Sequence, residues 1–317
     1  MKYRAMAMAG LMGLVAGHGE AAAQMTIAVF TKNSTNPAYE SFRIGADRVA
    51  QAAGARTVHY VPNKPDNIEE QKAFVEQVLK DRPDVVIFIP VDDVAMIEPV
   101  RRLTEANIPV VVAGNALPGR FVTFVGADDV EIGYRQARYL FDKLGGKGRI
   151  VVIEGVPAAP TNRDRLRGYQ RAFAETPGIV VLGTGAGNYQ QPDGKRVMAK
   201  FLQEHAQIDA VLSANDSMAL GALEALKEAG RTTTVIGING ILDAVRQIEA
   251  GKILASVDFN MFKIGCTATR AAVRYLKGEP VPEKVMLPAE IIDKTNYKAW
   301  LVPVGERPCP EWTDVVR

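Results

Sequence analysis

Histidine, cysteine and net charge are all scarce in this chain of 317 residues, and each scarcity narrows the range of functions. Only His59 and His205 lie beyond the first twenty-odd residues. One falls on a strand pattern and the other at a helix end, without the spacing of metal ligands. The two cysteines, Cys266 and Cys309, leave open either one disulfide or two unpaired thiols. A formal net charge of +2, with basic residues interleaved among acids, gives no reason to expect a nucleic-acid partner. Neither a G-x-S-x-G elbow nor a G-x-x-x-x-G-K-S/T loop occurs. The run Gly183 to Gly187 is glycine-rich, but Asn188 stands where G-x-G-x-x-G needs its last glycine, so it reads as a plain turn. Beyond the amino-terminal segment no apolar stretch is long enough to span a bilayer.

What is present begins with a leader. Lys2 and Arg4 precede a short Ala/Met/Leu/Gly run that ends in Ala21-Ala22-Ala23. This is the pattern of a signal peptide over residues 1–23, with cleavage expected after Ala23 and the mature protein in the periplasm. Export would also permit the disulfide.

From Met25 onward, strand and helix patterns alternate. Apolar runs at 25–30, 56–61, 84–89, 109–113, 121–126, 149–154, 178–183, 209–213, 233–238 and 253–257 read as strands covered on both faces. Helical periodicity fills 38–53, 67–80, 93–106, 129–144, 162–175, 191–205, 216–229, 240–250 and 261–277. Repeated βα units imply doubly wound parallel sheets. Ten strands are many for one sheet, and 84–112 shares an outline with 209–238, so two similar lobes are expected.

Ligands in such sheets bind beyond the carboxyl ends of the strands. The turns there are rich in polar groups: TKNSTNPAYE (31–40), IPVDDVA (89–95), AGNALPG (113–119), EGVPAAPTNRDR (154–165), GAGNYQQPDG (185–194), SANDSMA (213–219), INGILD (238–243) and VDFNMF (257–262). One N-cap serves a helix start, yet the first turn carries six hydrogen-bonding side chains in a row, Thr31 to Asn36. Amides and guanidiniums pair with vicinal hydroxyls, and aromatic faces cover a sugar ring. The turns therefore suit a small, hydroxyl-rich molecule better than a reaction centre.

IAVFTKNSTNPAYESFRIGADRVAQAAG, EANIPVVV, SANDSMALGALEAL and VIGINGILDAVRQIEAGKILASV resemble the ribose-binding-protein-like family of periplasmic solute-binding proteins. The resemblance covers most of residues 25–290. It implies an α/β fold of two doubly wound lobes joined by three hinge crossings, near 126–128, 258–260 and 287–289. The first lobe would hold 24–127 and 260–288, and the second 128–259 and 289–317. It implies a monomer that closes on a sugar, polyol or sugar acid and delivers it to an ABC permease and its ATPase. No catalytic residue, metal or cofactor is expected.

Carried over residue by residue, the first-lobe ligand positions are Lys32, Asn36, Tyr39, Ile89, Gly114 and Asn115. The second-lobe positions are Arg163, Tyr189, Asn215 and Asn239, with Phe259 at the second crossing; Asp216, next to Asn215, is a further candidate that also suits a helix cap. Ile89 replaces the family's amide, Gly114-Asn115 its Asp-Arg pair, and Asn239 its acid. With Lys32 and Arg163 retained, a net positive cleft is expected, with Asp216 and Asp258 as the nearest offsetting acids. Two other functions fit the same turns: a ligand sensor for a chemotaxis or two-component receptor, and an exported glycosidase using Asp216 and Asp258.

Overall fold

The computed structural model describes residues 24–316; the leader read over residues 1–23 lies outside them. Strands β1 (Thr26–Phe30), β2 (Arg56–Tyr60), β3 (Val85–Phe88), β4 (Val110–Gly114) and β5 (Thr123–Gly126) are followed by β6 (Lys147–Glu154), β7 (Gly178–Ala186), β8 (Ala210–Ser213), β9 (Thr234–Ile238) and β10 (Ala255–Asp258). Two short strands, β11 (Lys284–Met286) and β12 (Glu290–Asp293), complete the set. The helices are α1 (Pro37–Ala52), α2 (Ile68–Asp81), α3 (Ile97–Glu105), α4 (Asp129–Lys143), α5 (Pro160–Glu175), α6 (Gln191–Glu204), α7 (Asp216–Glu228), α8 (Leu242–Glu249) and α9 (Met261–Leu276), with short α10 (Lys298–Leu301) and α11 (Trp312–Val315) in the tail.

These elements form two six-stranded sheets, ordered β11-β5-β4-β3-β1-β2 and β12-β10-β9-β8-β6-β7. The first is parallel throughout, and in the second β12 runs antiparallel to β10. The Val/Ile runs behave as their composition requires. Val85, Val86, Ile87 and Phe88 are fully buried, because helices cover both faces of the sheet. Asn36, Asn67, Asp128 and Asn215 cap the helices that follow them, each accepting from a first-turn backbone N–H.

The chain passes between the sheets after β5, after β10 and between β11 and β12. The second and third crossings are tied together. Asn260, in the left-handed region at φ 62°, donates its side-chain amide to the carbonyl of Pro288 at 2.8 Å.

Several elements differ from expectation. Helix α3 starts at Ile97 instead of residue 93, because Asp92 accepts from the N–H groups of Val94 and Ala95 and holds a turn there. The glycine-rich run continues β7 as far as Ala186 instead of forming a turn. The tail, expected with the second lobe, does not stay there. Helix α10 packs on α8, and the chain then returns to the first lobe. There Cys309 is bonded to Cys266 of α9, Arg48 of α1 donates to the carbonyls of Gly305 and Arg307, and Trp312 packs on the first-lobe core.

Candidate functional site

Strand ends from both lobes meet around one shared cavity. The first lobe contributes Asn36 from the turn after β1 and Tyr39 from the first turn of α1, Ile89 after β3, and Gly114 and Asn115 at the end of β4. The second contributes Tyr189, Asn215 and Asn239, and Phe259 stands at the second crossing. All of these were expected from sequence.

Cap and cavity roles coincide in two of them. The Asn36 side-chain Oδ1 accepts from Ala38 N–H at 3.0 Å while the residue lines the cavity. Asn215 accepts from Met218 N–H at 2.9 Å and donates its amide to the Tyr189 carbonyl at 3.0 Å. Of the polar side chains in the first turn, Asn33 and Asn36 reach the cavity. Thr35 donates to Asn33, and Thr31 accepts from Arg43, so these two hold the loop together.

Lys32, Arg163 and Asp216 do not line the cavity. Lys32 is buried near Asp66, and its backbone carbonyl accepts from Asp66 N–H at 3.0 Å. Arg163 lies at the cleft mouth, where it grips Asp93 of the opposite lobe at 2.6 and 2.8 Å. Asp216 is buried behind the site. It accepts from Ser256 at 2.7 Å and from Ile241 N–H at 3.0 Å, and so fixes the loop that carries Asn239. Asp258, the other carboxylate nominated for hydrolysis, accepts from the Trp300 indole at 2.6 Å and does not line the cavity either.

Arg165 stands where Arg163 was expected. It is 2% exposed, donates from Nε to Asp129 at 2.9 Å and to the Ala214 carbonyl at 2.6 Å, and lies 5.2 Å from the Phe259 ring centroid. Burial, the largest single influence, lowers its pKa, but Asp129 together with Tyr189 and Tyr169 turns the net shift upward, so the guanidinium stays ionised. The sequence did carry a signal for it. Arg165 shares an i, i+3, i+4 face with Asn162, Gly168, Tyr169 and Ala172, all buried. Asn33, Asp66, Thr161 and Met261 also line the cavity without having been singled out. Asp66 lies in the turn after β2, which is as much a strand-end turn as the others.

Two buried polar atoms at the cavity have no hydrogen-bond partner: the Tyr189 hydroxyl and the Asn239 side-chain carbonyl. Leaving such groups unpaired costs about 1–3 kcal/mol each. Both residues also adopt positive φ, 61° and 133°, conformations that side chains other than glycine rarely take. The Tyr189 ring lies against Gly155, where a β-carbon would come within 2.0 Å of it. Burial raises the phenol pKa of both Tyr39 and Tyr189, so each remains a neutral hydroxyl.

The charges in and beside the cavity balance. Arg165 is offset by Asp129, and Lys32 by Asp66. Burial lowers Lys32 and raises Asp66, so this pair sums to zero whether its proton sits on the amine or the carboxylate. The expected net positive cleft is not observed, because Asp66 and Asp129 supply the offset instead of Asp216 and Asp258.

Two tests follow from this geometry. The Arg163–Asp93 pair bridges the lobes, but the arginine side chain is 45% exposed. Arg163→Ala is therefore expected to weaken ligand binding by less than about tenfold, with the effect shrinking in high salt. Calorimetry at two ionic strengths checks this. Burial pushes the Asp216 carboxyl up to about 7. The native state then holds a proton that the unfolded chain has released, and stability falls as pH rises from about 4 to 7. Asp216→Asn should lack this fall, changing the gap between variant and parent by up to about 1.4 kcal/mol per pH unit in that window. Urea denaturation at pH 4, 5.5 and 7 reads it.

Comparison with known proteins agrees with the geometry. Residues 27–280 match the periplasmic binding protein domain family. The ribose import binding protein of Bacillus subtilis is 30% identical over 84% of this chain and 87% of its own length. The xylitol-binding protein of Mycolicibacterium smegmatis is 29% identical over 93% of this chain and 86% of its own. The structure of an ABC transporter periplasmic solute binding protein from Actinobacillus succinogenes, with bound D-allose, superposes with a TM-score of 0.83 at 26% identity, covering 87% of this chain and 100% of that one. Among the described residues no helix is long and apolar enough to cross a membrane, and no group of three or more His, Cys, Asp or Glu side chains is arranged to hold a metal ion. With two parallel-sheet lobes, three crossings and a polar cavity between strand ends, the chain belongs to the type I periplasmic binding proteins.

Proposed function

We propose that this protein captures a small, neutral, hydroxyl-rich molecule, a sugar or polyol, between its lobes and delivers it to a membrane permease driven by an ATPase. The observation that carries this reading is the pair of orphaned polar atoms, Tyr189 Oη and Asn239 Oδ1, in a cavity ringed by amides. The phenol donates to one ligand hydroxyl and the amide carbonyl accepts from another, which a polyhydroxylated molecule supplies and water-excluding closure requires. Arg165 has further N–H groups beyond the two that bond Asp129 and Ala214, and it adds paired donors from the second lobe. Asp66 adds an acceptor from the first lobe.

Charge balance favours neutral ligands over sugar acids. An added carboxylate would enter a buried site whose cations are already matched, and desolvating it costs several kcal/mol. The ligands named for the relatives, ribose, xylitol and D-allose, are neutral and hydroxylated as well. Each lobe contributes contacts, so the ligand binds the closed arrangement better than the open one and shifts the population toward it. The permease then distinguishes the two forms.

The test is titration calorimetry of the mature chain with neutral pentoses, hexoses and polyols, each beside its acid counterpart. The reading expects neutral members to bind and their acids to bind at least tenfold more weakly. Tighter binding of the acids would overturn it. Mass spectrometry of material released on denaturing the purified protein should find the same class of molecule.

A further inference from the structure

Polarity is unevenly distributed around the cavity, and strand order explains why. In the first sheet β4, β3, β1 and β2 are neighbours in that order. Their carboxyl ends bring Gly114, Ile89, the Asn33–Asn36 turn and Asp66 to the cavity. The β1–β2 side of this wall therefore carries amides and a carboxylate. The β3–β4 side carries the Ile89 side chain beside the bare Gly114 backbone, with Asn115 at its edge.

Nothing at Ile89 is left to hydrogen-bond a ligand. Its side chain is fully buried, its N–H donates to the Phe30 carbonyl at 3.2 Å, and its carbonyl accepts from the Gln71 amide at 3.0 Å. Gly114 sits at φ +68°, and a β-carbon there would stand 3.5 Å from Ile89 Cγ2, so the Ile89 side chain lies directly beside the Gly114 backbone. Helix α9 packs against β3 and β4 and adds Met261 to the lining. Asn115 is the nearest polar side chain in sequence, and its amide nitrogen is engaged by Thr161 across the cleft.

Resting on the sugar reading above, we infer that the ligand seats a carbon bearing no hydroxyl, a methyl or methylene group, against Ile89 and Gly114, so that the preferred class is deoxy sugars or deoxy polyols. A hydroxyl placed there loses its water and finds no partner. A methyl loses only water and gains contact with Ile89. Discrimination by an apolar pocket against an added hydroxyl is modest, roughly 10- to 100-fold.

The experiment compares matched pairs on the mature chain by titration calorimetry: D-ribose with its 2-deoxy and 5-deoxy forms, D-galactose with D-fucose, and L-mannose with L-rhamnose. The expected result is one deoxy member binding roughly 10- to 100-fold tighter than its parent. Ile89→Asn, which supplies a donor and an acceptor at the same place, should remove that preference chiefly by strengthening the parent. Parents binding as well as or better than every deoxy partner overturns this inference while leaving the sugar reading intact. No binding by any member overturns both. The comparison on the unaltered protein stands even if the variant fails to fold.

Discussion

Arg165→Ala is expected to abolish measurable ligand binding and to lower unfolding free energy by about 3–5 kcal/mol. Both effects come from one position. The guanidinium is buried against Asp129, the Ala214 carbonyl and the Phe259 ring, and removing it strands a buried carboxylate at the start of α4. A second variant separates stability from recognition. Arg165→Met combined with Asp129→Leu removes both charges and retains volume, so most of the lost stability should return. Binding should not return, because the donors facing the cavity are gone. Urea denaturation reads the first quantity, and calorimetry with the tightest member of the sugar panel reads the second. Normal affinity in Arg165→Ala would remove Arg165 from the site, and equal stability of all three proteins would show that the pair is not under load.

Reducing the Cys266–Cys309 bond is expected to destabilise the first lobe by about 4 kcal/mol, the chain-entropy value for a closed loop of this size. The two residues are 43 apart in sequence and their Cα atoms are 5.7 Å apart. The bond fixes the tail to α9 after α10 has packed on the second lobe. Weaker ties accompany it: Arg270 donates to the Pro310 carbonyl, and the Arg274 guanidinium lies 5.0 Å from the Trp312 ring centroid. Denaturation midpoints of the parent should fall on adding reductant. The Cys266→Ser/Cys309→Ser variant should start lower and not respond to reductant. Identical midpoints with and without reductant in the parent would show that the tail contributes no such constraint.

Much of the fold was readable because its signals are local. The ten strands from β1 to β10 and the nine helices from α1 to α9 were expected within a few residues, since apolar runs, helical periodicity and caps repeat from unit to unit. β11 and β12 were not, because KVM and EIID are largely exposed or half-buried and lack the continuous apolar run of the other short strands. They are held by pairing with β5 and β10, which are far away in sequence.

The cavity lining was partly readable for the same reason. Strand-end turns identify themselves, so Asn36, Tyr39, Asn215 and Asn239 could be placed there before any coordinates. Arg163 and Arg165 could not be separated by turn position alone. Two helical residues two apart point about 200° away from each other. On α5 one of them faces the cleft mouth and Asp93, and the other faces the cavity and Asp129.

By itself, then, the amino-acid order determined the alternation of elements, the two lobes and the polar turns at the strand ends, because each is encoded within a few neighbouring residues. Tertiary structure alone decided that Asp66 and Asp129 neutralise the cleft, that Cys266 and Cys309 are joined, and that the tail returns to the first lobe. Those outcomes depend on distances between segments remote in sequence, and such distances exist only once the sheets have packed.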